Sequence, residues 1–304
     1  MKPLALTPKQ APVALAALRA AVASDAGRDW LALEASQCGY AGDLEALGPV
    51  DLAALAAALP DPTARAALVQ RCVIVAMLAG DISAEALAQL RRVARALSVD
   101  EPALHQLHLY RAGHFRRLTL DVGRRSFVAS KVKRIWKEEG LGGVWRFALQ
   151  SRGAANPPLA ARYVALEALG PDTLGGALVR HFRRSGFALP GEPKSSPEAL
   201  LFHDLGHVLT GFGTDPEGEV QMGGFEAGYM GEDAFSITVF ALFLFHLGAP
   251  IVPNPPRARG RFAVAPYTAA RDLGRRLNTD LRYWDPWPHM EAPVATVRAQ
   301  LALE

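Results

Sequence analysis

The chain has 304 residues, half of them hydrophobic, and its formal net charge is +3. This length fits two domains better than one, and the composition supplies enough apolar residues for a sizeable core. Two cysteines, Cys38 and Cys72, exclude a disulfide framework and a site built from paired thiols, which fits a reducing compartment. The small net charge and the lack of a recognised binding motif argue against a nucleic-acid partner.

The first 110 residues predict an all-helical module. They are rich in alanine and leucine, and helices are expected at 51–59, 63–78 and 83–97, with Ser83 as the cap of the third. Near the N-terminus, prolines and basic residues interrupt the apolar run that a signal peptide would need, so we expect a cytoplasmic protein.

A short acidic turn with Asp81 and Glu85 separates two of these predicted helices. The surrounding stretch, 75–96, resembles the TerB-like (tellurite-resistance) helical domain, in which an acidic turn joins two helices. We interpret the module as an interaction domain rather than as a metal site.

A basic amphipathic segment is predicted at 111–160. Between Arg111 and Lys137 there are nine basic residues and a single acid, Asp121, with apolar residues interleaved. Such a segment can lie on an anionic membrane surface, with Phe127 and Trp136 at the interface. It can equally be a solvated helix that packs its apolar stripe on the protein or on a partner. Both interpretations stay open.

The most informative motif is His203-Asp204-Leu205-Gly206-His207, followed twelve residues later by Glu219. A helix is predicted from the segment Ser195-Ser196-Pro197-Glu198, which offers a serine cap, a proline in the first turn and an early acid, to the glycine turn that starts at Gly211. At roughly 100° per residue, both histidines and Asp204 fall within an arc of about 100°. Glu219 then lies in the first turn of a second helix. Imidazole and carboxylate ligands suit zinc or iron(II), so His203, Asp204, His207 and Glu219 are the predicted metal ligands.

Along the second helix, Gly223, Glu226 and Met230 share one stripe with Glu219, each within about 40° of it. Six glycines between 211 and 228 leave room either for a ligand or for close helix packing, and both stay open. We interpret Glu226 as a second acid or proton carrier near the metal, the candidate catalytic residue. Gly223 and Met230 are candidate substrate contacts.

The stretch 234–256 carries no charged side chain. Its helical part, 234–247, would be about 21 Å long, which is too short to cross a bilayer core of about 30 Å. We expect a buried core helix, or alternatively a wall of a prenyl tunnel that dips into the membrane surface. His246 is expected to be a hydrogen-bonded core histidine.

Several separated segments carry a second family resemblance. They are the His203-Asp204-x-x-His207 motif with Glu219, and the segments 171–175, 225–227, 273–276, 283–285 and 297–301. On these segments the chain from about Tyr163 to the end resembles the coenzyme Q (ubiquinone) biosynthesis protein 4 family.

This resemblance implies metal-dependent oxidative decarboxylation at ring carbon 1 of a prenylated 4-hydroxybenzoate-derived precursor. It implies zinc, or alternatively iron(II), at the predicted ligands, and Arg275 as a further substrate contact. Other quinone-biosynthesis proteins are the implied partners, and the location is peripheral to the inner membrane.

Two other functions stay open. One is a non-catalytic polyprenyl-lipid-binding scaffold that organises quinone-biosynthesis enzymes around a structural metal. The other is an HD-type phosphohydrolase, which would need His181 and either Asp272 or Asp280. The expected architecture is all-α, with helical domains at 1–110 and 161–304 joined by the basic segment 111–160, and a homo-oligomer is possible.

Overall fold

The computed structural model describes residues 4–125, 127–252 and 257–304. Residues 253–256 and the side chain of Phe127 lie outside this description, as does the predicted interfacial role of Phe127. The described residues form α-helices and short 3-10 turns, and the extended pairing among them is confined to two isolated bridges. The all-α prediction is therefore confirmed. None of the described helices combines the length and apolar character that a membrane span requires.

The helices follow one another along the whole chain. They are α1 (Ala11–Arg19), α2 (Asp25–Gln37), α3 (Leu52–Ala58), α4 (Pro62–Met77), α5 (Ala84–Ala96), α6 (Ala103–Arg111), α7 (Phe115–Arg125), α8 (Phe127–Ser151), α9 (Pro157–Ala165), α10 (Leu174–Ser185), α11 (Leu201–Thr210), α12 (Pro216–Tyr229), α13 (Ala234–Phe245), α14 (Val264–Gly274) and α15 (Val294–Gln300).

The chain divides into two compact units. The first comprises Met1–Arg124 and Phe235–Pro266, and the second comprises Arg125–Ala234 and Tyr267–Glu304. The observed division differs in two ways from the one that the sequence predicts. The basic segment 111–160 is not a separate part, because α7 belongs to the first unit and α8 to the second. The apolar stretch that follows Ala234 belongs to the first unit, whereas the sequence predicts it in the C-terminal domain.

In the first unit, the three helices predicted at 51–59, 63–78 and 83–97 are α3, α4 and α5, with each end within one residue. Each begins at a side chain that satisfies backbone donors of the first turn. Asp51 and Asp61 accept two such bonds each, and Ser83 Oγ accepts one from the amide of Ala86 at 3.0 Å. The predicted cap at Ser83 is thus present.

The apolar helix α13 is buried along its length, as the core interpretation of 234–247 predicted. Ala234, Leu242, Phe243 and Leu244 each have no exposed surface. His246, directly after this helix, donates from Nε2 to the carbonyl oxygen of Leu78 at 3.1 Å, and burial lowers its pKa. This matches the expected hydrogen-bonded core histidine.

A buried ion pair crosslinks α2 and α4 in the same core. Arg71 Nε lies 2.8 Å from Glu34 Oε2, and their side chains are 3% and 1% exposed. Because both side chains are shielded from solvent, loss of the Glu34 carboxylate removes the buried counter-charge of the Arg71 guanidinium.

We therefore expect Glu34→Ala to lower the free energy of unfolding by about 3–5 kcal/mol. The control is Glu45→Ala, which removes a 75% exposed carboxylate paired with Arg19 and should change stability by about 1 kcal/mol or less. Denaturant unfolding of both variants measures the difference. Equal effects of the two substitutions would contradict a stabilising role for the buried pair.

In the second unit, α8 is interrupted at Gly140, whose φ of 66° is left-handed. The helix with the histidine motif does not start as expected. A 3-10 turn (Glu198–Leu200) leads into α11 without a side-chain cap, and Ser195 Oγ instead accepts from the amide of Gly191 at 3.1 Å. Its predicted end is correct, because Gly211 adopts φ 76° and closes the helix.

The following helix, α12, begins where Asp215 Oδ1 accepts from the amide of Gly218 at 2.8 Å. Two of its glycines permit close packing against α14. A Cβ at Gly224 would collide with the carbonyl oxygen of Tyr267, and one at Gly228 would collide with the backbone of Gly274. Of the two interpretations of the glycine-rich sequence, close helix packing therefore holds at these positions.

Candidate metal centre

Three side chains converge between α11 and α12. His203 and His207 lie one turn apart on α11, and their Nε2 atoms are 3.2 Å from each other. Glu219, in the first turn of α12, places Oε2 at 3.3 Å from Nε2 of His203 and Oε1 at 3.6 Å from Nε2 of His207. Ligand-type atoms of all three residues lie within 4.8 Å of one another, so this group could hold a metal ion. We call it the metal group.

The second nitrogen of each imidazole is already engaged, which fixes the tautomer of the ring. His207 Nδ1 lies 2.9 Å from the carbonyl oxygen of Phe212, which can only accept, so this nitrogen carries the proton. His203 Nδ1 lies 2.8 Å from Glu226 Oε1, which places a proton there as well. In the neutral rings, both Nε2 lone pairs therefore point at each other and at Glu219. A cation, either a proton or a metal ion, is needed to balance this arrangement.

The separations of these atoms also agree with a zinc site. Nitrogen and oxygen ligands of tetrahedral zinc lie at roughly 2.05 Å from the metal, so they are about 3.3 Å from one another. In the metal group the two Nε2 atoms are 3.2 Å apart, and those of His203 and His207 lie 3.3 and 3.6 Å from different oxygens of Glu219, Oε2 and Oε1 respectively. With one ligand atom from each residue, all three lie within 4.8 Å of one another, so an adjustment of the Glu219 carboxylate would let them share one ion.

The electrostatics of the metal group favour its charged forms. Burial raises the pKa of Glu219, but the interactions of its carboxylate with the imidazoles of His203 and His207 outweigh burial and lower this pKa to about 2. Burial also lowers the pKa of His203, but the negative charge of Glu226 and hydrogen bonds to Glu219 and Glu226 raise it well above its usual value. Glu219 is thus an anionic ligand at neutral pH, and without a metal His203 holds the compensating proton.

The metal group is buried on one side and accessible on the other. The side chains of His207 and Glu219 are 2% and 8% exposed, whereas that of His203 is 35% exposed. A ligand can therefore approach along His203, and the set of three protein ligands leaves a coordination position for it.

The fourth predicted ligand, Asp204, is not part of the metal group. Its Oδ1 lies 3.3 Å from Nε2 of His181 on α10. The ring of His181 also stacks on that of His207, with centroids 5.2 Å apart. Asp204 therefore points to a neighbouring helix instead, and the sequence motif did not reveal this partner because it lies 23 residues away.

The remaining predicted residues have distinct positions. Glu226 is 2% exposed and hydrogen-bonded to His203, which agrees with its interpretation as a second acid near the metal. Gly223 is buried, and Met230 is buried with its carbonyl oxygen 3.2 Å from Arg282 Nη2. Arg275 Nη1 lies 2.9 Å from Asp272 Oδ1. The role of these three as substrate contacts stays a prediction.

A cavity of about 470 Å³ lies in the second unit. Its lining includes residues of α8, the segment 282–285, and Glu198 and Ala199 at the entry to α11. The sequence did not reveal it, because its walls come from three distant parts of the chain. Glu198 accepts from the hydroxyl of Tyr163 at 2.8 Å, and burial with this carboxylate raises the pKa of Tyr163.

Four cations line this cavity: Lys131, Arg134, Arg146 and Arg282. Lys131 Nζ donates to the carbonyl oxygen of Arg282. Burial, followed by repulsion from Arg134 and Arg282, lowers its pKa. Each arginine pairs with a carboxylate. The ammonium group of Lys131 is therefore the cation best placed to gain from an anionic ligand.

Comparison of the chain with protein-family models, curated proteins and solved structures finds no match. Both family resemblances therefore stay predictions, and the metal group is argued from its geometry alone.

The raised pKa of His203 predicts that metal binding depends on pH. Because a metal must displace the proton from Nε2, affinity for Zn²⁺ should rise about tenfold per pH unit until pH exceeds the pKa of His203. Competition titrations against a chromophoric chelator, from about pH 5 to 8, measure this slope. A pH-independent affinity would contradict the assigned protonation state.

The substitution Glu226→Gln tests whether the negative charge of Glu226 raises the pKa of His203. The amide oxygen can still accept from Nδ1 of His203, so the ring keeps its tautomer, but the negative charge is lost. The pKa of His203 should fall, and the pH-dependent range of Zn²⁺ binding should move to lower pH. Glu232→Gln, which neutralises an exposed acid beyond the end of α12, should leave the profile unchanged.

Proposed function

We propose that this chain is a metal-dependent enzyme of ubiquinone biosynthesis. Its metal, zinc or alternatively iron(II), is held by His203, His207 and Glu219. The observation that carries the metal is the convergence of two Nε2 lone pairs and a carboxylate on one point. The substrate class, a prenylated 4-hydroxybenzoate-derived precursor, rests on the family resemblance of the segment from about Tyr163 to the end.

The proposed reaction is oxidative decarboxylation at ring carbon 1. This reaction replaces the ring carboxylate by a hydroxyl group, with carbon dioxide as the leaving group, and it needs a two-electron oxidant, for which dioxygen is the proposed co-reactant. A bound iron(II) would supply the chemistry with dioxygen, whereas a bound zinc would supply only stabilisation of negative charge on the ring as carbon dioxide leaves. Glu226 acts as a positioning residue, because it holds the proton on Nδ1 of His203 and directs Nε2 at the ligand site. The carbonyl oxygen of Phe212 does the same for His207.

Two features support catalysis over the scaffold alternative. Structural zinc sites are closed by four protein ligands, whereas catalytic sites keep a position for water or substrate. Here three residues form the metal group, and His203 leaves it accessible. The metal group therefore has the composition of a catalytic site.

The cavity offers space for the head group of the substrate. Its volume of about 470 Å³ lies within the range of roughly 300–1,000 Å³ that small-molecule sites occupy. Its lining includes Ala199, in the 3-10 turn four residues before His203, but none of the three residues of the metal group. We infer that an anionic group of the substrate interacts with the ammonium group of Lys131.

The arrangement supports an HD-type phosphohydrolase less well. The two aspartates proposed for it are engaged elsewhere, because Asp280 pairs with Arg282 at 2.6 Å and Asp272 with Arg275 at 2.9 Å. His181 pairs with Asp204, outside the metal group.

To test the proposed reaction, lipids are extracted from cells that lack this protein, and their quinone intermediates are measured by mass spectrometry. Prenylated intermediates that keep the ring carboxylate should accumulate. Wild type should restore the quinone, and His203→Ala/His207→Ala should not, because the variant loses both nitrogen ligands. Metal content and thermal unfolding of the purified variant show whether it folds without the ion.

The matched control is His105→Ala, which removes an exposed histidine of α6 in the first unit and should restore the quinone fully. If the folded double variant also restores the quinone, the metal is dispensable and the scaffold becomes the better account. If the deletion leaves carboxylated intermediates at normal levels, the assigned reaction is wrong.

A further inference from the structure

Lys131 differs from the other cations that line the cavity of the second unit. Among the described residues, no carboxylate forms an ion pair with Lys131, whereas Arg134, Arg146 and Arg282 each pair with one. Its side chain is half-buried, and Nζ donates to the carbonyl oxygen of Arg282. The positive charge of Lys131 is therefore less well compensated than the charges of the three arginines.

The nearest charged neighbours of Lys131 are also cations. Three positive groups surround the ring of Tyr283, with Nζ of Lys131 at 5.3 Å from the ring centroid. The guanidinium carbons of Arg134 and Arg282 lie 4.0 and 5.2 Å from the same centroid. The ring attracts each cation but carries no net charge, so it does not remove the repulsion among the three.

This environment favours the neutral amine of Lys131. Burial, followed by repulsion from the two guanidinium groups, lowers the pKa of Lys131. The carboxylates of Asp280 and Glu138 act in the opposite direction, but each is already paired, with Arg282 and Arg134 respectively. A neutral lysine amine is a nucleophile, whereas the ammonium form has no lone pair to donate.

The cavity gives this amine room for a small molecule. The carbonyl oxygen of Arg282 can only accept, so an N–H of Lys131 points at it and the lone pair of the neutral amine points elsewhere. The cavity volume of about 470 Å³ is ample for a small organic compound. A carbonyl carbon in the cavity can therefore reach the lone pair of Lys131.

We infer that Lys131 forms an imine with a small aldehyde or ketone that carries an anionic group. The lone pair of Nζ adds to the carbonyl carbon, and the electrons of the C=O π bond move to the oxygen. This oxygen then leaves as water with the two protons of the amine, and a C=N bond remains, so no oxidant or reductant is needed.

The anionic group of the carbonyl compound follows from the charges of the site. Protonation of the imine creates a cation that, among the described residues, has no carboxylate partner, so an anionic ligand would supply the counter-charge. The N–H of this iminium ion can still donate to the carbonyl oxygen of Arg282. The inference goes beyond the proposed function, because it requires neither the metal group nor the proposed reaction.

Reductive labelling of the full chain tests the inference. The chain is incubated with limiting pyridoxal 5′-phosphate, an anionic aldehyde, reduced with borohydride and mapped by peptide mass spectrometry. Lys131 should be labelled several-fold faster than Lys133 and Lys137, which are exposed on the same helix. Equal labelling of all three lysines would overturn the inference. Pyridoxal, which lacks the phosphate, should label Lys131 more slowly, and equal rates would contradict the need for an anionic group.

The pH dependence of labelling reports the reactive form of Lys131. Only the neutral amine reacts, so the rate should rise with pH through the pKa of Lys131. Because this pKa is lowered, the rise should occur below the pH range of an ordinary lysine. Arg134→Gln should move the rise to higher pH, because one repulsive charge is lost. Lys137→Gln, which removes an exposed cation of α8, should leave it in place, and equal shifts in both variants would contradict the role of Arg134.

The variant Lys131→Arg separates imine formation from simple anion binding. It keeps the positive charge but cannot form an imine, so the adduct in the cavity should disappear while circular dichroism shows an unchanged fold. Equilibrium dialysis measures reversible binding of pyridoxal 5′-phosphate to both chains. If both chains bind the probe equally and the reduced wild type carries no adduct at Lys131, this residue is only an anion-binding ammonium group and the inference fails.

Discussion

The second unit depends on one electrostatic constraint, the convergence of the Nε2 atoms of His203 and His207 on the carboxylate of Glu219. Both rings are held in the tautomer that directs lone pairs to the same point, by Glu226 and by the carbonyl oxygen of Phe212. Such a group is stable only with a cation at its centre. The same charges that raise the pKa of His203 in the metal-free chain would bind a divalent ion, so proton and metal compete for one position.

The backbone around the metal group fixes the positions of the three side chains that converge there. The left-handed Gly211 ends α11 four residues after His207, and Asp215 caps the start of α12 four residues later, so Glu219 is brought back toward the histidines. Gly224 then lets α12 pack against the backbone of Tyr267, which limits movement of the helix that carries Glu219 and Glu226. The metal group is therefore held by close packing as well as by hydrogen bonds.

Local features of this arrangement could be predicted from the sequence, and features that depend on distant partners could not. His203, His207 and Glu219 are joined by one helical turn and one glycine turn, so spacing alone predicts that they meet. Asp204 fits the same arc, but its neighbour is His181 from α10, which no local pattern reveals. The sequence also does not show that α13 belongs to the first unit. A uniformly apolar helix can pack in either core, so its own pattern does not specify which one.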